Sequence, residues 1–183
     1  SDLLDSLPIP RRMRWGSANA QFVRPVRWLV LLHGETVIEA EILGVRSDRL
    51  THGHRFHCPE PLSLARPDEY LGLLEERGYV VADFAERRAR IEAEVKAAAA
   101  PLGGEVELDP ALLDEVTALT EWPVALAGSF DSAYLEVPAQ ALIATMKGNQ
   151  KYFHLTDADG GLLPRFITVA NLVRDRKSTR LNS

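Results

Sequence analysis

The stretch from Pro25 to Gly44 constrains the fold more than any other part of the sequence. Pro25 to His33 is a β-rich run, nearly all apolar; Gly34-Glu35 interrupts it, and Thr36 to Gly44 then alternates for part of its length. Glycine at the first position of a two-residue connection suits a tight hairpin turn. An unbroken apolar strand needs cover on both faces, whereas Glu39 and Glu41 leave its partner half exposed. The pattern predicts a hairpin over 25–44 with Trp28 in the core, and therefore a sheet with packed layers around it.

The remaining elements supply those layers. Asp68 to Arg77 reads as a short helix closed by a left-handed Gly78, followed by a short strand over Tyr79 to Ala82. Asp83 caps a helix that carries Phe84, Ile91 and Val95 and stops near Pro101. Asp109-Pro110 opens another over 111–119, which ends before Pro123. Val124 to Ala127 resumes the sheet, Val137-Pro138 opens a helix through Met146, and strands over 151–155 and 163–170 flank a turn at Asp157 to Gly161. Strands and helices mix without a repeat, so the expected fold class is α+β: a mixed, mainly antiparallel sheet with packed helices, one module over residues 1–176.

A chain of 183 residues with 46% hydrophobic and 26% charged residues can bury a core unaided, which excludes a disordered tail or a fibre. Cys58 is the sole cysteine, so no internal disulfide forms, and a reducing, cytoplasmic setting is expected. No run approaches the roughly 20 apolar residues that span a bilayer. The opening Ser1-Asp2-Leu3 lacks an initiator Met and the layout of a signal peptide, which reads as a segment of a longer chain.

The net charge of -5 conceals an asymmetry: residues 1–57 carry +2, residues 58–122 carry -9, and residues 123–183 carry +2. A nucleic-acid surface belongs on the flanks. In the first, a basic N-terminal segment over residues 1–20 leads into Arg11, Arg12, Arg14, Arg24 and Arg27, with no acid from 11 to 27 and with Trp15, Phe22 and Trp28 interleaved. Guanidinium groups pair with phosphates and planar rings stack on bases, a combination suited to RNA. Solvated arginines flanking a strand are the alternative. In the second flank, Met146 to Phe153 sets two lysines and two amides before aromatics, either a phosphate grip or a helix end whose lysines complement the dipole.

Other constellations are weaker. His52, His54, His57 and Cys58 are zinc-ligand types, but in an extended segment His57 faces away from the other two and no second ligand pair follows, so no metal is expected. Ser129 and His154 lack a Gly-x-Ser-x-Gly elbow. Gly103-Gly104 and Gly160-Gly161 lack phosphate-loop spacing and read as turns. Glu121-Trp122-Pro123 reads as a packed corner at a helix-to-strand junction.

Six words occur in order: Pro10-Arg11-Arg12-Met13-Arg14-Trp15-Gly16, Phe22 to Leu29, Gly53-His54-Arg55-Phe56-His57, Glu121-Trp122-Pro123-Val124, Gln150-Lys151-Tyr152-Phe153 and Leu163 to Asn171. Together, over residues 8 to about 173, they resemble the β subunit of bacterial two-subunit glycyl-tRNA synthetase. The resemblance implies a fold like the B3/B4 module of phenylalanyl-tRNA synthetase and a subunit that binds tRNA(Gly) and an α subunit. ATP and magnesium are implied for the whole enzyme through that α subunit; no cofactor and no catalytic residue are expected in this segment, nor are DNA or a membrane as partners. After Val173 the pattern stops, and residues 177–183 read as a non-native tail.

The candidate tRNA contacts are Arg11, Arg12, Arg14, Arg24, Arg27, Arg55, Lys147, Lys151 and Arg165. Gly148-Asn149 departs from the acid and histidine that relatives often carry beside these lysines. Two other roles stay open: a purely structural interface with the α subunit or the rest of the β subunit, and an editing hydrolase.

Overall fold

A computed structural model describes residues 4, 6–16 and 19–172; the tail expected at 177–183 lies outside them. The chain divides into two compact units, one ending at Gly78 and one beginning at Tyr79. Among the described residues, four α-helices and mainly antiparallel sheets make it α+β, as the irregular mixing of elements predicts.

The first unit is built of very short strands. β1 (Met13–Arg14) and β2 (Gln21–Phe22) form an antiparallel ribbon, with Arg14 opposite Gln21. β3 (Leu29–Val30), β4 (Leu32–His33), β5 (Thr36–Val37), β6 (Glu41–Ile42) and β7 (Val45–Asp48) follow. The expected turn is present: Leu32 faces Val37, His33 faces Thr36, and Gly34 takes a φ of +58°, which favours glycine.

The long hairpin and its buried central strand are not. β3 pairs in parallel with Ser47 and Asp48 of β7, Leu29 and Val30 are half-buried, and Trp28 is 44% exposed rather than in the core. The reason lies in Ser47, whose hydroxyl donates to the Ile38 carbonyl (2.6 Å) while accepting from the Ala40 amide (2.8 Å). A side chain thus takes positions that a continuous ladder would fill, and the run is cut into pieces.

β8 (Leu50–His52) pairs with β9 (Pro61–Ser63), and α1 (Tyr70–Glu76) ends at Gly78, whose amide donates to Leu73. Gly78 does not take the expected left-handed conformation; the positive φ (+54°) falls on Tyr79. Glycine is needed there for room, since a Cβ of its own would lie 2.6 Å from the Leu74 carbonyl oxygen, and the same holds at Gly53. A Cβ on Gly53 would lie 2.4 Å from the Gly78 carbonyl oxygen, which accepts a 2.6 Å hydrogen bond from the His54 amide.

In the second unit Tyr79 to Ala82 is no strand: the Val81 amide donates to the Glu121 carbonyl, but no ladder develops. α2 (Phe84–Ala99) starts at Asp83, which accepts from the Glu86 amide at 2.8 Å. β10 (Glu105–Val106) precedes α3 (Pro110–Leu119), where Asp109 accepts from the amides of Ala111 and Leu112. β11 (Pro123–Ser129) leads to α4 (Ala139–Thr145), which continues into one π turn, Met146–Gln150, and then to β12 (Phe153–Thr156) and β13 (Leu162–Asn171). The sheet runs β10-β12-β13-β11, antiparallel throughout.

One face of this sheet makes the core. Ile91 and Val95 of α2 and Leu113 and Val116 of α3 close over Ala125, Phe153, Leu155 and Ile167. Phe84, expected on that apolar face, is exposed at the first turn and lies beside the Arg87 guanidinium. Arg87 donates to the carbonyls of Val81, Ala82 and Thr117, tying the entry of α2 to the end of α3. β11 lies at the sheet edge, where Glu94 of α2 accepts from the Ala125 amide and occupies an edge donor.

Candidate nucleic-acid interface

The nine candidate cations divide between the units and between two electrostatic situations. Arg11, Arg14, Arg24 and Arg27 are exposed in the first unit and form no ion pair with any described residue. Arg14 is exposed on the β1–β2 ribbon, where Trp15 and Phe22 are half-buried. Arg12 differs: half-buried, it donates to the Leu4 carbonyl at 3.2 Å and fixes the approach to β1. Arg55 is exposed, with its guanidinium 5.7 Å from the ring centre of Phe56, itself the most exposed aromatic side chain described.

The cations of the second unit are already occupied. Lys147 pairs with Glu107 at 3.0 Å and Asp109 at 3.4 Å, and Lys151 pairs with Glu115 at 2.8 Å while donating to the Gly148 carbonyl. Arg165 donates to the Leu102 carbonyl. Lys151 closes the π turn with a φ of +58°, and this conformation aims its ammonium group back at the turn and at α3. The lysine pKa at 147 is raised: burial opposes the charge, and Glu107 and Asp109 together outweigh it.

Beside Lys147 lies His154, which the sequence offers only beside Ser129 in a triad without an elbow. His154 is 1% exposed, its Nε2 is 3.2 Å from Glu107, and its Nδ1 has no hydrogen-bond partner. Burial pushes its pKa below the ordinary value, against the pull of Glu107. Alternation along Phe153-His154-Leu155 is the available signal, since it turns His154 to the sheet face opposite the main core.

The histidine cluster is a packing motif. The chain turns after His54, so that the Cys58 amide donates to the His54 carbonyl, and this brings the His54 and His57 rings to 4.5 Å, correcting the expectation that they face apart. His54 Nδ1 accepts from the amides of Phe56 and His57, and His52 lies against Trp28. Among the described residues no three His, Cys, Asp or Glu side chains converge as a metal site.

Two of the sequence words explain each other. Asn171 Oδ1 accepts from the amides of Glu121 (3.0 Å) and Trp122 (2.8 Å), while the Trp122 ring receives the Arg90 guanidinium at 4.5 Å and the edge of Tyr79. Glu121-Trp122-Pro123 is thus a packed corner, as expected, held by the last residue of β13.

The first unit thus presents exposed arginines that pair with no described residue, and the second an antiparallel sheet covered by helices. The comparisons supply the class: this is a chain of the aminoacyl-tRNA synthetases. Residues 1–181 match the family described as "Glycyl-tRNA synthetase beta subunit", and the chain belongs to that family; the match runs past Val173, the expected end of the pattern. Relatives named glycine--tRNA ligase beta subunit include those of Hahella chejuensis (55% identical over 169 residues) and Marinobacter nauticus (56% over 170), each covering 92% of this chain and 24% of the relative. The protein of Stutzerimonas stutzeri is 55% identical over 170 residues, covering 92% of this chain and 25% of its own. The chain thus spans about a quarter of the length of the curated relatives it matches. No helix among the described residues is long and apolar enough to cross a membrane.

Proposed function

We propose that this chain is the tRNA-handling part of a cytoplasmic glycine–tRNA ligase β subunit, whose α subunit performs the ATP- and magnesium-dependent charging of tRNA(Gly). The observation that carries the reading is the state of the cations. Arg11, Arg14, Arg24 and Arg27 are exposed and pair with no described residue, in a stretch of seventeen residues without an acid, whereas Lys147 and Lys151 are neutralised by neighbouring carboxylates. A phosphate backbone is drawn to the former, and at the latter it must compete with Glu107, Asp109 and Glu115. Arg55 and Phe56 add a guanidinium and an exposed ring from the same unit. Arg12 acts by positioning β1.

On this reading ATP and magnesium are held by the α subunit, and no step of adenylate formation is derived through the described residues. The mainly antiparallel sheets with packed helices support the likeness to the B3/B4 module of phenylalanyl-tRNA synthetase.

The test uses the assembled α/β enzyme and measures tRNA affinity across a salt series. Replacing Arg11, Arg14, Arg24 and Arg27 together with alanine flattens the plot of log K against log salt by about three, at roughly 0.7–0.9 for each phosphate no longer neutralised. An unchanged slope overturns the reading. A second reading, an assembly surface for the α subunit, is favoured by one feature: a cavity of about 450 Å³ in the first unit lined by Trp28, Leu31, Leu64 and Tyr70, with Trp28 44% exposed. Loss of α-subunit capture on changing Trp28, with the tRNA salt slope intact, supports it.

A further inference from the structure

The face of the second unit's sheet opposite the main core carries an aromatic cup of about 240 Å³, lined chiefly by Phe130, Tyr134, Leu142, Met146, Tyr152 and Phe166. Its floor is rigid. Tyr152 stacks on Phe166 with ring centres 4.2 Å apart and planes within 9°, and Phe166 lies so close over Gly128 that a Cβ there would be 2.4 Å from the ring. One wall is the end of α4 and its π turn, and the other is a 3₁₀ turn over Ser132–Glu136. Beside the cup, that turn leaves Tyr134 60% exposed, with Leu135 and Val137 also open to solvent.

We infer that this cup receives an apolar side chain from the part of the β subunit that lies outside residues 1–183. Three observations select that occupant. Among the described residues no charged side chain lines the cup; Thr145 and Gln150 join its lining, but its exposed wall is almost wholly carbon, so it offers a phosphate no cation and favours an apolar occupant. The surroundings repel a polyanion: residues 79–172 hold fourteen carboxylates against seven Lys and Arg, and Lys147 and Lys151, which adjoin lining residues, are tied to Glu107, Asp109 and Glu115. The curated relatives are about four times the length this chain covers, which leaves some three quarters of such a subunit to cover the face. A continuous open apolar surface of this kind marks an interface. The same acidic surroundings favour a docking segment in which lysine or arginine flanks the apolar anchor. This inference rests on family membership and is independent of where tRNA binds.

The experiment places p-benzoyl-phenylalanine at Tyr134 in the full-length β subunit, an aromatic-for-aromatic change at an exposed position. Irradiation with and without α subunit and tRNA(Gly) is followed by peptide mapping. The expected result is an intramolecular cross-link to a β-subunit peptide outside residues 1–183, present without either partner. Leu142→Ser is expected to lower its yield roughly tenfold, because truncating a leucine weakens apolar docking by at least that factor. Cross-links that go only to residues 1–183, only to the α subunit, or only to tRNA overturn the inference, as does the absence of any cross-link.

Discussion

Replacing Gly53 with alanine tests the close approach on which the Gly53-to-His57 segment depends. The added Cβ would sit 2.4 Å from the Gly78 oxygen, 2.5 Å from its Cα and 2.9 Å from its carbonyl carbon, where ordinary contact begins at 3.4 Å. All three are backbone atoms, so relief requires the end of α1 to withdraw by about 1 Å, a small-to-large clash that costs about 1–3 kcal/mol. Withdrawal also stretches the 2.6 Å hydrogen bond from His54 to Gly78, and an unmade bond at this buried carbonyl costs about 1–3 kcal/mol more. The expected destabilisation is therefore about 2–6 kcal/mol. Urea unfolding followed by Trp28 fluorescence reads it, since that indole lies 4.6 Å from the ring of His52, the residue before the substitution. Gly72→Ala is the matched control. It lies inside α1 with open space around its Cβ, and should gain about 0.5–1 kcal/mol from helix propensity. Unfolding of Gly53→Ala within about 0.5 kcal/mol of the parent would refute the steric reasoning, as would an equal destabilisation of both variants.

Asp109→Ala removes the cap of α3 and should cost about 1 kcal/mol by denaturant unfolding. Backbone amides, Leu112 first, hold the Asp109 pKa below its ordinary value, so the wild-type advantage is complete above about pH 4, fades as acid protonates the carboxylate, and is absent from the variant. Asn171→Ala leaves the amides of Glu121 and Trp122 unpaired at the corner and should lower unfolding stability by about 1 kcal/mol, an effect that Asn171→Asp restores in large part because its carboxylate still accepts. Burial lowers the His154 pKa, so its neutral form favours the fold fully above the ordinary histidine range and this contribution declines as pH falls below about 6.5, with a slope of at most about 1.4 kcal/mol per pH unit. His154→Gln should flatten unfolding stability between about pH 6.5 and 5; a slope equal to wild type would show that another group is responsible.

Sequence reached furthest where a local physical demand names the residue. The caps at Asp83 and Asp109, the turn at Gly34 and the stop at Pro123 each answer to the geometry of a few neighbouring atoms, and each stands where the pattern put it. It failed where the demand is set by a distant partner. Nothing local to Val26–Leu32 says that Ser47 will occupy the ladder positions of Ile38 and Ala40 and cut the apolar run into pieces. Nothing local to Gly53 says that the Gly78 carbonyl will come so close, so the need for a glycine at 53 is invisible in its own segment. The candidate cations show the same division. Composition identifies all nine as positive, but whether a cation is available to a phosphate depends on the carboxylates that folding brings to it. Glu107 and Glu115 lie 40 and 36 positions from the lysines they neutralise, whereas Arg11, Arg14, Arg24 and Arg27 have no acid in their own segment and pair with none among the described residues. Charge free of carboxylate partners over a contiguous stretch is thus legible from sequence, and charge that a β–α connection cancels is not.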